Sequence, residues 1–387
     1  MKKIVILTAT RAEYGLLKPL IIKFNDDINI DMRLVVTGAH LVPEFGMTVQ
    51  EIEEAQIPID KRIQILLNSD TPNAISKSMG LAMISFAEYF EECKPDALLV
   101  LGDRYETLAV CCVAMSMRIP IFHLYGGETT EGAMDEAIRH SITKMSYLHF
   151  TSTERYRHRV IQMGEAPGRV FTVGALGIEN VIQTKLLSLT ELEKKIGVNL
   201  ERNYAVGTFH PVTLENATAE EQVEELLAAL EKNQNIFYLF TKANADSGGY
   251  IINKRFKEYS SKHENFILID SLGMKGYLSA LKYASFVIGN SSSGLIEAPS
   301  FGIPTINIGD RQKGRIVGNS VIQCHAKVDA IDKAIKKAGS EEWRTRAKKA
   351  RNPYGDGNTS DQIVAVVEDF LIHDKIDLKK KFYDLVF

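Results

Sequence analysis

Short apolar runs recur along this chain with a longer amphipathic stretch between each and the next, which leaves little choice of architecture. Ile4–Leu7, Met32–Thr37, Ala97–Leu101, Ile119–Leu124 and Leu148–Thr151 have the length and composition of buried strands. Asn73–Glu92, Asp135–Tyr147 and Thr153–Met163 instead carry apolar residues at helical spacing. Strands separated by helices pair parallel, need cover on both faces and present ligand-binding groups at their C-terminal ends. After Gly174-Ala175-Leu176-Gly177 the pattern starts again, with strands expected at Tyr204–Phe209, Ile236–Phe240, Phe266–Ile269, Phe286–Gly289 and Thr305–Ile308. Helices are expected at Ala219–Glu231, Lys275–Tyr283, Gly294–Phe301, Val328–Lys337 and Asp361–Leu371. A second α/β domain is therefore expected from near residue 180. The length of 387 residues suits two cores better than one, since single cores stop growing near ~250–300 residues. The cleft between two such halves is the expected active site.

Charge narrows the partner. The 46 Lys and Arg against 49 Asp and Glu leave a net charge of -3, with the basic residues scattered rather than gathered in a stripe. Nucleic acid is therefore not an expected partner, and any anionic ligand must be held by a local site. Cys93, Cys111, Cys112 and Cys324 show no C-x-x-C spacing, which points away from a zinc site or a disulfide framework and toward a reducing cytoplasm. Met1-Lys2-Lys3 followed by Ile4–Leu7 imitates the start of a signal peptide, but Thr8-Ala9-Thr10-Arg11 breaks the apolar run. No run approaches the ~20 apolar residues needed to cross a bilayer, so a cytoplasmic protein with no membrane partner is expected.

Candidate chemistry collects after the strands. Thr10-Arg11-Ala12-Glu13-Tyr14-Gly15 follows the first, where a helix N-terminus and Arg11 can meet a phosphate; an ordinary strand-to-helix turn with a surface arginine would read the same way. In Gly102-Asp103-Arg104-Tyr105, Asp103 stands at a strand end and is equally suited to capping the next helix. His123-Leu124-Tyr125-Gly126-Gly127-Glu128, with Glu131, Asp135, Glu136, Arg139 and His140 behind it, leaves a strand through two glycines and gathers ionisable groups that packing does not need. Carboxylates so placed can take and return protons. Asp135 with Arg139, and Glu136 with His140, also have the four-residue spacing of ion pairs on a helix face.

In the second half, Phe209-His210-Pro211 puts His210 at a strand end, a position for a general acid. The stretch from Thr241 to Gly249, with Asn244, closes another strand either as a polar turn or as a ligand contact. Gly289-Asn290-Ser291-Ser292-Ser293-Gly294 runs from a strand into a helix carrying Glu297. Amides and hydroxyls there make a phosphate cradle, with Glu297 placed to accept the hydroxyls of a ribose; a serine-rich cap is the plainer reading. Gly309 to Arg315, including Arg311, is a basic loop that could close over phosphates or a base, or else a solvated charge run. Neither a P-loop nor G-x-G-x-x-G is present, which leaves ATPase and nicotinamide chemistry without support.

Taken in order, these segments resemble the bacterial hydrolysing UDP-N-acetylglucosamine 2-epimerases of sialic-acid biosynthesis along nearly the whole chain. The resemblance implies a GT-B fold of two Rossmann-like doubly wound α/β domains, 1–178 and 179–360, with UDP held mainly by the second. A C-terminal segment, 361–387, would return its helix toward the first. The resemblance further implies a UDP-sugar substrate, no metal, no nicotinamide or other cofactor, and a homodimer or homotetramer. Ser291, Ser292, Glu297 and Arg311 would bind UDP, with Arg11 on the phosphates. Asp103, Glu128, Asp135 and His210 would surround the sugar, with His123, Arg139 and Asn244 among the other substrate contacts. The implied reaction removes the proton on carbon 2 with anti expulsion of UDP, giving a 2-acetamidoglycal, and then adds water to release the epimerised sugar. Asp103 and Asp135 are read as the proton-transfer groups, and His210 as a protonated imidazole beside the leaving UDP. Tyr125 departs from the pattern, since many related enzymes carry Glu there; Glu128, three residues on, is the expected substitute. Leu16 stands near a position where non-hydrolysing relatives carry lysine, which favours the hydrolysing branch.

Other readings stay open. The same reaction on UDP-2,4-diacetamido-2,4,6-trideoxyglucose, on the route to legionaminic acid, would differ only in residues facing carbons 4 and 6. A GT-B glycosyltransferase would share the nucleotide site, though the carboxylates from Glu128 to Glu136 argue against it. A nucleotide-sugar sensor would bind without turnover.

Overall fold

The computed structural model describes residues 1–67, 71–129, 134–211, 219–243, 249–373 and 375–385. The chain forms two compact units, one of Met1–Asn180 with Tyr354–Phe387, the other of Val181–Pro353.

In the first unit, β1 (Lys2–Thr8), β2 (Ile30–Thr37), β3 (Lys61–Ile63), β4 (Ala97–Leu101), β5 (Ile121–Leu124), β6 (Leu148–Thr151) and β7 (Val170–Thr172) form one parallel sheet in the order β3-β2-β1-β4-β5-β6-β7. Its connections include α1 (Arg11–Asp26), α2 (Val49–Glu54), α3 (Pro72–Cys93), α4 (Tyr105–Ser116), α5 (Met134–Met145) and α6 (Glu154–Gln162), and α7 (Leu176–Gln183) follows β7. Alternate strand residues go to opposite faces. Ile4, Ile6, Leu34, Val36 and Leu99 pack in one core, while Val5, Leu7, Val35, Leu98 and Val100 pack in another with α3 and α4. Both faces are dry, which is why these strands read as unbroken apolar runs rather than as an alternation.

The second unit repeats the plan with β8 (Tyr204–Thr208), β9 (Phe237–Thr241), β10 (Phe266–Ile269), β11 (Phe286–Gly289), β12 (Thr305–Ile308) and β13 (Val321–Cys324), parallel in the order β10-β9-β8-β11-β12-β13. Its helices are α8 (Leu189–Ile196), α9 (Ala219–Glu231), α10 (Gly249–Ser260), α11 (Gly273–Tyr283), α12 (Ser293–Ile296), α13 (Val328–Gly339) and α14 (Glu341–Lys349). The chain then rejoins the first unit through α15 (Thr359–Ile372), whose Ile363, Val367 and Leu371 fall on one face and share a core with Leu17, Leu20, Ile21 and Phe24 of α1.

Three strands escape the sequence reading. β3, β7 and β13 are three or four residues long and partly exposed at sheet edges, so they lack the apolar density of central strands. The helix expected over Gly294–Phe301 is broken into the single α turn of α12 and a 3₁₀ turn at Ala298–Phe301. Pro299, at the start of the second turn, supplies no N–H to continue the α ladder. Among the described residues no helix is long and apolar enough to cross a membrane.

Candidate active site

Strand order in the first unit reverses between β1 and β4, where a doubly wound sheet opens a crevice at its strand ends. After β1, Thr10 caps α1: its Oγ1 accepts the Glu13 N–H at 3.3 Å, while the Glu13 carboxylate accepts the N–H groups of Ala9 at 2.7 Å and Thr10 at 3.2 Å. Three N–H groups that could have met a phosphate are thus already engaged. Arg11 reaches outward and pairs with Glu51 at 2.7 Å. Glu13 itself is buried; desolvation lifts its carboxyl to about 7 against the pull of the Ala9 N–H and the Arg104 charge. From the end of β2, the buried His40 ties this turn down, with Nε2 3.0 Å from Thr8 Oγ1 and Nδ1 2.8 Å from Thr48 Oγ1. Burial lowers its pKa to about 4.

The turns after β4 and β5 meet around Arg139. This guanidinium is 3% exposed; it ion-pairs with Asp103 and donates through Nη1 to the Glu128 carbonyl at 2.9 Å and to Glu136 Oε2 at 3.3 Å. Glu136 also pairs with His140 at 3.2 Å. The helix face thus carries the Glu136–His140 pair, and α5 also lends Arg139 to the strand ends. The Glu128 carboxylate, buried, accepts the Ser152 hydroxyl at 2.7 Å. His123 is wholly enclosed, its Nε2–H donating to the Gly102 carbonyl at 2.8 Å, and burial lowers it to about 3. A neutral imidazole in that place fixes the Gly102–Asp103 turn. Gly127 has φ +79°, and a Cβ there would lie 2.5 Å from the Tyr156 carbonyl, so only glycine lets the chain pass between β5 and α6. Asp135 is exposed on the first turn of α5.

In the second unit the order reverses between β8 and β11. The Asn290 side chain there grips the backbone of His210, accepting its N–H at 2.7 Å and donating to its carbonyl at 2.8 Å. Arg311 and Gln312 both donate to the Asn290 carbonyl, at 3.2 and 2.8 Å. His210, Asn290 and Arg311 thus form one cluster. Ser291 and Ser292 lead into α12 half-buried, and burial raises the Glu297 carboxyl above its usual range, opposed by Ser293 and Arg315. The loop from Gly309 to Val317 lines a cavity of about 350 Å³ with Asn307, Gln323 and His325. Asn244 lies outside the described residues. Among the described residues no group of three or more His, Cys, Asp and Glu is placed to hold a metal ion.

Burial and the Arg311 charge lower His210 to about 4, so the imidazole is neutral near pH 7 in the ligand-free chain. An arriving diphosphate would oppose the Arg311 charge and favour the protonated ring. In ¹H–¹⁵N spectra the His210 ring is expected to titrate below about pH 5 in the free protein and to move upward when UDP binds. An unperturbed value near 6.5 would remove this account.

Asn290, Ser152, His40 and Arg159 were not singled out from sequence. Ser152 and Asn290 follow strands, like the residues that were, and that position alone could have marked them. His40 and Arg159 act through partners distant in sequence, which no local pattern displays.

Two doubly wound parallel units, each with polar groups gathered where its strand order reverses, define a GT-B-type protein. Residues 23–368 match the family model described as UDP-N-acetylglucosamine 2-epimerase. The chain is 43% identical over 344 residues, 89% of each chain, to a Campylobacter jejuni GDP/UDP-N,N'-diacetylbacillosamine 2-epimerase (hydrolyzing). It is 42% identical over 386 residues, 100% of this chain and 98% of the other, to the Escherichia coli polysialic acid biosynthesis protein P7. Its fold is similar to that of the Neisseria meningitidis UDP-GlcNAc 2-epimerase in a crystal structure bound to UDP-GlcNAc, with a TM-score of 0.81 and 19% identity over 95% of this chain and 100% of that one. The chain belongs to the UDP-N-acetylglucosamine 2-epimerase family, enzymes that act on a UDP-sugar.

Proposed function

We propose that this enzyme is a hydrolysing 2-epimerase that converts UDP-N-acetylglucosamine and water to N-acetylmannosamine and UDP, supplying sialic-acid synthesis. The observation that carries the reading is that one buried Arg139 pairs with the Asp103 carboxylate and holds the backbone carbonyl of Glu128, whose own carboxylate bonds Ser152, so that both residues are fixed at adjoining strand ends. Two carboxylates with different neighbours suit a reaction that removes a proton and later returns one. In the first stage a carboxylate takes the proton on carbon 2, and the carbon 1–oxygen bond breaks anti to it, so that UDP leaves with the bonding pair and 2-acetamidoglucal remains. In the second stage water adds its oxygen to carbon 1 while carbon 2 receives a proton on the opposite face. Asp103 and Asp135 take proton-transfer roles, and Glu128, in place of the glutamate missing at Tyr125, shares them. Ser291, Ser292, Glu297 and Arg311 hold UDP, Arg11 exchanging its Glu51 partner for a phosphate; His210 donates a hydrogen bond to the departing diphosphate.

The match to the diacetylbacillosamine enzyme favours a second reading, the same chemistry on UDP-2,4-diacetamido-2,4,6-trideoxyglucose. Proton NMR in deuterated water, without metal or acceptor, separates the two. N-acetylmannosamine deuterated at carbon 2, with equimolar UDP, is the expected outcome from UDP-N-acetylglucosamine. Consumption of the diacetamido sugar alone moves the assignment to the second reading, and silence with both returns the glycosyltransferase and sensor readings.

A further inference from the structure

The Glu128 carboxylate has two unlike oxygens. Oε1 accepts the Ser152 hydroxyl at 2.7 Å, whereas Oε2 has no hydrogen-bond partner among the described residues. Ser152 is itself held hard. It is 1% exposed and lies between the last residue of β6 and Thr153, whose hydroxyl caps α6 by accepting the Tyr156 N–H at 3.3 Å. One turn further along α6, Arg159 donates to the Gly127 carbonyl at 2.5 Å and to Thr129 Oγ1 at 2.8 Å, its guanidinium lying over the Tyr156 ring at 5.5 Å. From the other side Arg139 of α5 holds the Glu128 carbonyl. The backbone on both sides of Glu128 is thus clamped, and the one freedom left, rotation of the side chain, is stopped by Ser152.

Resting on the hydrolytic reading above, we infer that Ser152, backed by Arg159, is a positioning residue that turns the open oxygen of Glu128 toward carbon 2 of the sugar. A merely structural hydroxyl at the end of a strand would bond to a neighbouring carbonyl, as Thr151 does to those of Thr153 and Phe171. Ser152 instead spends its proton on a carboxylate 24 positions away in the chain. Such a bond fixes direction and leaves the second oxygen to accept or deliver a proton.

The test compares Ser152→Ala and Ser152→Thr with the unaltered enzyme, on whichever UDP-sugar the NMR experiment shows to be turned over. Turnover, UDP binding, melting and free 2-acetamidoglycal are followed together. Ser152→Ala should lower kcat about ten- to a hundredfold, the worth of a hydrogen bond to an ionised group, with the Kd for UDP unchanged and free glycal rising relative to product. Ser152→Thr keeps the hydroxyl and should restore most of the rate. Unaltered turnover in Ser152→Ala overturns the inference, as does a loss that threonine does not restore and that follows UDP binding and melting downward. An inactive parent enzyme with both UDP-sugars overturns the hydrolytic reading itself, and this inference with it.

Discussion

Asp103→Asn should lower kcat by about 10²–10⁴-fold, the span attributed to a positioned acid or base, while the Kd for UDP measured by calorimetry stays the same. The substitution keeps the shape of the side chain and an oxygen for Arg139, but removes the capacity to take a proton. It also takes from Arg139, 3% exposed, one of its carboxylate partners, leaving Glu136. Some loss of stability should therefore accompany the kinetic defect, short of the ~3–5 kcal/mol seen when a buried pair loses a partner outright. Arg311→Ala and Ser291→Ala should show the reverse pattern, weakening UDP binding through the second unit. Collapse of UDP affinity in Asp103→Asn, together with surviving turnover in Asp135→Asn, would overturn this division of labour.

Gly289→Ala should be the most damaging single substitution of an uncharged residue. Gly289 ends β11 at φ +140°, and a Cβ built there would lie 2.0 Å from the Thr208 carbonyl oxygen of β8. Neither side can yield, because that carbonyl also accepts the Asn290 N–H at 3.2 Å, and Asn290 in turn grips His210. Backbone strain and overpacking together should cost about 3–5 kcal/mol, or on the order of 10 °C in Tm for a unit of this size. UDP binding should fail with it. Gly339→Ala, where the added carbon meets nothing within 4 Å, is the control expected to melt with the parent. Equal melting of the two variants would show that β8 and β11 can separate at no cost.

Much of this was legible because two-faced burial writes itself into sequence. β1, β4, β8 and β11 have apolar centres, and the turns after them carry Arg11, Asp103, His210 and Ser291. Edge strands such as β3, with one buried residue in three, carry no such signal. Partnerships were the larger omission. That Arg139 would reach Asp103 as well as Glu136 on its own helix, that His123 would be enclosed against Gly102, and that Arg11 would lean on Glu51 depend on distances set by the whole unit. Protonation depends on the same distances: burial and the Arg311 charge hold His210 well below the ordinary histidine value.

The turn that opens α1 has a bearing on how substrate preference can change. Glu13 folds back over the entry of its own helix, so the N–H groups of Ala9 and Thr10 are engaged before any anion arrives. The residues of the first unit proposed to meet the sugar, Asp103, Glu128 and Asp135, would act through side chains, which mutation can exchange one at a time. The second unit holds its loops by backbone contacts such as those of Asn290, which are hard to exchange singly. With the nucleotide held by the second unit as proposed, such a division would let the grip on it persist while the accepted sugar changes.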